Sequence, residues 1–337
     1  GTTRSSPAPR GSSWKRPGTQ ERAECAKYFI SKFKEIDSNF RYVLHNFTIH
    51  STNCQIVLFK LNENQNNIVI LGAHYDTRAR ATKDDNKSAH VRGANDGASG
   101  SAVLIELARV LYMRRENLSS QIWFLFFDAE DQGYEGEEYG MVGWDWVEGS
   151  KNFVYDVSNF YNPQNESFDA MILLDMVGGK NLRFINEEFS TSSLLDELFA
   201  IGRELGYTSQ FPSSRTSKPV TDDHVAFLNK GIPSADLIID FGDKSLWPHH
   251  HTTQDIVINT EASSLEVTGR TVEQFVYNNY FNATSEIYKG NYPWSVDIDW
   301  VFVETIMYII IIVAIGVILV LTWKVVKQKP NTIGSKR

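Results

Sequence analysis

The segment "FFDAEDQG" sets Asp128, Glu130 and Asp131 within four positions, directly after the apolar run Ile122–Leu125. Carboxylates this close raise one another's pKa unless each faces water or a cation sits between them. The same residue types recur elsewhere: His74 and Asp76 in "GAHYDT", Asp96 in "GANDGASG", Asp175 in "LLDMVG", His251 in "WPHHHTTQD". The chain has only two cysteines, Cys25 and Cys54, so a thiolate zinc site is excluded. They form either one disulfide or two free thiols. A metal would therefore be held by His, Asp and Glu, a mixture that suits catalytic Zn²⁺ with coordination positions left open. Spacing alone does not decide for a metal, because no two of these residues share the helical spacing of a HExxH motif.

The elements that must position these residues follow from periodicity. "NIVILGA" (67–73), "QIWFLFF" (121–127), "DAMILLDMV" (169–177) and "SADLIIDF" (234–241) read as buried strands, and 41–49 and 54–61 as β-prone stretches. Helical patterns occupy 19–36, 100–111, 192–205, 221–230 and 260–288. Strands alternating with helices predict an α/β fold, a mixed and mostly parallel sheet covered by helices on both faces. Ligands in such folds sit beyond the carboxyl ends of the strands. His74 and Asp76, Asp128 to Asp131, and Asp175 all fall there.

The chain has 337 residues, 42% hydrophobic and 12% aromatic, enough to bury a sizeable core. Its net charge of −8 and unclustered basic residues argue against a nucleic-acid partner. Residues 305–323 run nineteen positions without a charge, between Trp300 and Trp323, with Lys324, Lys327 and Lys329 following. This predicts a transmembrane helix, a cytoplasmic tail at 324–337, and everything before Asp299 outside the cytoplasm at a cell membrane. The bilayer is then one partner of the chain. An N-terminal signal segment is inferred to have been removed. Residues 1–18 read as a flexible arm, 19–290 as the catalytic domain and 291–304 as a stalk. Sequons at Asn46, Asn86, Asn117, Asn165 and Asn282 are compatible with glycosylation on that side.

Six ordered stretches, "AHYDT", "GANDGASGSAVLIELAR", "FFDAED", "LLDMVG", "DDHVAFLNKGIP" and "HTTQD", resemble the co-catalytic dizinc aminopeptidase family of metallopeptidase clan MH. Zinc-dependent glutaminyl cyclases share its fold. The resemblance covers roughly residues 20–288. It implies that Asp96 bridges two zinc ions, that His74 and Asp175 complete one site, and that Asp131 and His251 complete the other. Glu130 would be the general base and Asp76 the acid that orients His74. One departure stands out: the family's usual Glu-Glu is Glu130-Asp131 here. His251 is preferred over His249 and His250 because it directly precedes "TTQD". The implied activity is hydrolysis of N-terminal residues from peptides with a free N-terminus, by a zinc-activated water and Glu130. The alternative is glutaminyl cyclase, with one zinc on Asp96, Asp131 and His251, and with Glu130, Asp175 and Asp222 moving protons. His250 departs from the Trp typical of those cyclases. Two stretches carry open expectations. Arg78, Arg80, Lys83, Lys87 and Arg92 read as a solvated loop, and Tyr134, Trp144 and Trp146 either wall a pocket or pack their insertion onto the core.

Overall fold

The computed structural model describes residues 15–282. Helix α1 (Gln20–Ile36) starts at Thr19, whose hydroxyl accepts from the Arg22 N–H. Strands β1 (Arg41–Ile49), β2 (Thr52–Leu61) and β3 (Asn67–His74) follow, then α2 (Ala98–Tyr112) and β4 (Gln121–Phe127). The chain continues through α3 (Glu148–Asp156), β5 (Ser167–Asp175), α4 (Ser192–Glu204), α5 (Asp223–Asn229), β6 (Ser234–Ile238) and α6 (Ala262–Tyr280).

The six strands form one sheet in the order β1-β2-β4-β3-β5-β6. The β4, β3, β5 and β6 neighbours pair in parallel, whereas β1/β2 and β2/β4 are antiparallel. The sheet is thus mixed, a parallel block with an antiparallel edge.

Alternation along the strands supplies both faces. Phe59, Phe124 and Phe126 meet α1, where Phe33 stacks on Phe59 at 3.6 Å and Phe29 on Phe126 at 4.2 Å. Trp123, Leu125 and Phe127 point the other way, into a cluster with Phe153 of α3 and Phe227 of α5. Each buried aromatic of this kind contributes about 1.5–3 kcal/mol of burial free energy.

Helix α3 has no counterpart in the sequence reading. It begins after Val147, which is left-handed (φ 56°), and no side chain caps it, so the usual start signal is absent. Residues 16–18 of the expected arm precede α1, and Lys15 donates its backbone N–H to Thr77 Oγ1 at 3.0 Å. The expected stalk, transmembrane helix and tail (291–304, 305–323, 324–337) lie outside the described residues. Among the described residues, no helix is long and apolar enough to cross a membrane.

Because β3 to β6 run in parallel, their carboxyl ends share one edge: His74 lies opposite Phe127, and Asp175 opposite Ile238. The site is built on that edge.

Candidate active site and metal centre

His74 and Asp175 are the last residues of β3 and β5, and His74 Nε2 lies 3.0 Å from Asp175 Oδ1. Asp96 arrives from the loop ahead of α2, with its Oδ1 3.2 Å from His74 Nε2 and its Oδ2 3.6 Å from His251 Nε2. Asp131 Oδ1 lies 2.9 Å from His251 Nε2. The two oxygens of Asp96 therefore face two separate donor groups. Ligand atoms of His74, Asp96 and Asp175 fall within 4.8 Å of one another, as do those of Asp96, His250 and His251.

This loop geometry needs Gly97, which has φ +92° and whose added Cβ would meet the Asp76 carbonyl oxygen at 2.7 Å. Asp255 holds the loop from the other side, accepting the N–H groups of Asn95 (2.7 Å) and Asp96 (3.0 Å). Three non-glycine residues at the site, Ala129, Met176 and His251, are left-handed (φ 65°, 48° and 57°). Such backbone costs on the order of 1–3 kcal/mol per residue and persists where the surroundings over-determine it.

Glu130 lines the same cavity, and its backbone N–H donates to Asp76 Oδ1 at 3.1 Å. Asp76 also accepts from Gln132 Nε2 at 2.9 Å and lies 3.6 Å from His74 Nδ1, so it ties the catalytic loop to β3. Asp128 faces away from the cavity. It accepts the Gln55 N–H at 2.8 Å and pairs with Arg22 at 3.3 Å, joining the loop to β2 and α1. Asp222 caps α5 and completes the cavity wall.

The electrostatics are those of buried acid. Burial pushes Glu130 well above the usual carboxylate range, against the opposing pull of His74. Burial, then the charge of Asp175, raises Asp222 to about 7. Asp175, Asp223 and Asp236 are also raised, with burial the largest cause. Burial alone would lower His74, but contacts with Asp175, Asp76 and Asp96 outweigh it and raise it. His250 is lowered by burial and by its cationic neighbours, and so stays neutral.

The donor set fits a divalent cation. Asp96 Oδ2 and Asp131 Oδ2 are buried without a hydrogen-bond partner, an arrangement that is costly unless positive charge compensates it. Two imidazoles, three carboxylates and no thiol match zinc in a catalytic setting.

Several neighbours differ from the sequence reading. Arg78 belongs to no solvated loop: it is 0% exposed, donates to the Asp131 and Gly133 carbonyl oxygens at 3.1 and 3.0 Å, and lies over the Trp146 ring. Its guanidinium is buried because the insertion at 132–148 supplies carbonyls to meet it. Arg80, Lys83 and Lys87 remain partly exposed, pairing with Glu138 and Glu135. The three aromatics of the insertion divide their roles. Trp144 packs with Cys54 and Ala129, whereas Tyr134 and Trp146 line the cavity. His250 also lines it, with its Nδ1 2.6 Å from Lys83 Nζ. Cys25 and Cys54 are free thiols. Glu135 and Asp236 carried no recognisable signal, and Asp223 and Asp255 stood in recognised stretches without an assigned part.

The sequence matches Peptidase family M28 over residues 56–276, most of the described body. The chain belongs to peptidase family M28. Among proteins similar to this M28 chain is the glutaminyl-peptide cyclotransferase of Bothrops jararaca, 26% identical over 250 residues, covering 65% of this chain and 64% of the relative. The chain thus spans just under two thirds of that relative's length. The glutaminyl cyclase of Bacteroides thetaiotaomicron, solved with N-acetylhistamine, superposes with a TM-score of 0.69 at 26% identity, covering 79% of this chain and 92% of that one. A Zn-dependent exopeptidase from Parabacteroides distasonis does so with a TM-score of 0.69 at 28% identity, covering 79% and 93%. The fold is that of zinc exopeptidases and glutaminyl cyclases, and the likeness to a Zn-dependent exopeptidase supports zinc as the metal.

Proposed function

We propose that this M28 chain acts on the free N-terminus of peptides and that its reaction is cyclisation of N-terminal glutamine to pyroglutamate. The observation that carries this reading is the shared cavity of about 290 Å³, in which Glu130, Asp175 and Asp222 stand around Asp96, Asp131 and His251. Buried carboxylates raised toward neutrality are suited to exchanging protons at working pH. The similarity to glutaminyl cyclotransferases supports the same reading.

Zinc, held by Asp96, Asp131 and His251, supplies Lewis-acid polarisation of the substrate carbonyl when bound. Glu130 takes a proton from the substrate α-amine as its nitrogen bonds to the glutamine side-chain carbonyl carbon. The bond from that carbon to the amide nitrogen breaks, and Glu130 returns the proton, so ammonia leaves. Asp175 and Asp222 hold protons beside Glu130. Tyr134, Trp146 and Phe241 give the cavity an apolar, aromatic wall.

A second reading, hydrolysis by an aminopeptidase with two zinc ions, is favoured by the division of Asp96 between two donor groups. Its water would be deprotonated by Glu130. The two readings separate in one assay of Gln-peptides beside Leu-peptides, with zinc counted per chain. Ammonia release from Gln-peptides supports cyclisation. Release of free N-terminal amino acids without ammonia overturns it. Glu130→Gln lowers turnover by about 10²- to 10⁴-fold in either case.

The proposal extends to location: a catalytic body outside the cytoplasm, tethered to a cell membrane through 305–323. Support comes from that apolar run and from the sequon residues Asn46, Asn86, Asn117, Asn165 and Asn282, all exposed. Release of the full chain from membranes by alkaline washing would overturn the tether.

A further inference from the structure

The insertion at 132–148 folds back over one metal ligand. Its hairpin pairs Tyr134–Glu135 with Glu138–Tyr139, and Glu135 Oε2 comes 2.6 Å from His251 Nδ1. Glu135 Oε1 is held in turn by Lys83 Nζ at 3.0 Å, and the Lys83 backbone N–H donates to the His251 carbonyl at 3.2 Å. Trp146 lies parallel to the imidazole, 6.0 Å away at 12°. The indole can do so because position 133 is glycine: a Cβ there would meet the ring at 2.4 Å. His251 is thus gripped in its plane and over its face.

A neutral imidazole has one N–H and one lone pair, and the acceptor of the N–H fixes which nitrogen is free. Glu135 accepts from Nδ1–H, which leaves the Nε2 lone pair directed at Asp131 and Asp96. At His74 the corresponding acid is Asp76, which stands farther off, 3.6 Å from Nδ1.

We propose that Glu135 is a positioning residue for the metal centre, and that the hairpin 134–139 is a clasp setting how firmly His251 holds zinc. Glu135 touches no substrate in this role; it acts through His251. The inference rests on the zinc assignment but not on the choice between cyclisation and hydrolysis.

The test is zinc affinity by chelator competition on the folded chain, with apo-protein thermal stability measured alongside. Loss of such an outer hydrogen-bond partner lowers metal affinity by about 10- to 100-fold. Glu135→Ala is expected to show that loss. Glu135→Gln is expected to fall between it and wild type, because its amide oxygen still accepts. Glu137→Ala, on the exposed turn of the same hairpin, is expected to bind zinc as wild type does, and the apo forms should melt alike. Wild-type affinity in Glu135→Ala overturns the clasp. An equal loss in Glu137→Ala also overturns it, by showing a general hairpin effect. A wild-type chain that binds no zinc overturns the metal assignment itself, an outcome the first measurement distinguishes.

Discussion

The two halves of the donor set are built differently. His74 and Asp175 are terminal residues of neighbouring parallel strands, fixed by sheet hydrogen bonding and covered by α2. Asp131 and His251 stand on loops, held by a left-handed backbone, a buried arginine and a hairpin that is not part of the sheet. One half is placed by the fold itself, the other by contacts added to it. Loop-borne groups open at lower free energy than strand ends, so the Asp131–His251 half should respond more to substitutions around it. A strand-borne pair, His74 and Asp175, thus stands opposite a loop-borne pair, Asp131 and His251.

The largest effect should come from Asp96, which faces both halves. Asp96→Ala is expected to reduce activity to background and to release zinc wherever it is bound, checked by metal analysis and turnover together. Two zinc ions retained per chain would show that the halves do not meet at Asp96.

The next comparison sets the halves against each other. Asp131→Asn is expected to lose most zinc, since a neutral amide gives less charge to a divalent ion, while Asp131→Glu keeps zinc and part of the turnover. Asp175→Asn is expected to retain the ion on the His251 side and to slow the reaction by about 10²-fold or more, as loss of a proton carrier does. Equal zinc content in Asp131→Asn and wild type would remove Asp131 from the ligand set.

The smallest effect is one of pH. Asp222 is raised by burial to about 7 in the folded metal-free chain, against about 3.9 when unfolded. Between those values the unfolded chain has released a proton that the folded chain still holds. The stability contributed by this group is therefore full below about pH 4 and is lost as pH rises through 7. Apo-protein melting temperature should fall across that window, and Asp222→Asn should flatten the slope. With zinc bound the slope should be shallower, because a nearby cation favours the charged carboxylate.

Much of the strand-end half was legible in the sequence. Buried runs that stop in His74, Asp128–Asp131 and Asp175 announce both a strand and a site, since apolar continuity and a sudden acid rarely coincide by chance. Asp96 and His251 were legible through the wording around them, not through spacing. Glu135 was not, because a glutamate in "YEGEEYG" looks like any solvated turn until the hairpin closes on His251. Arg78 was misread for a similar reason: a cation in a polar stretch is buried only where distant carbonyls converge on it, and Gly133 lies in a different loop. Helix α3 escaped because it lacks a capping side chain, so tertiary packing of Phe153 rather than local propensity sustains it.

Asp255 carries a consequence for the time course of folding. Its carboxylate pins the backbone of Asn95, 160 positions earlier in the chain, and through it the loop bearing Asp96. Contacts of such sequence separation form late, since the entropy of closing a long loop must be met before they reward it. During synthesis the sheet can begin to assemble as its strands emerge, but the Asp96 loop lacks the hold of Asp255 on the Asn95 and Asp96 N–H groups until residue 255 has left the ribosome. The donor set, which includes His251, is therefore complete only when nearly the whole described body has been made.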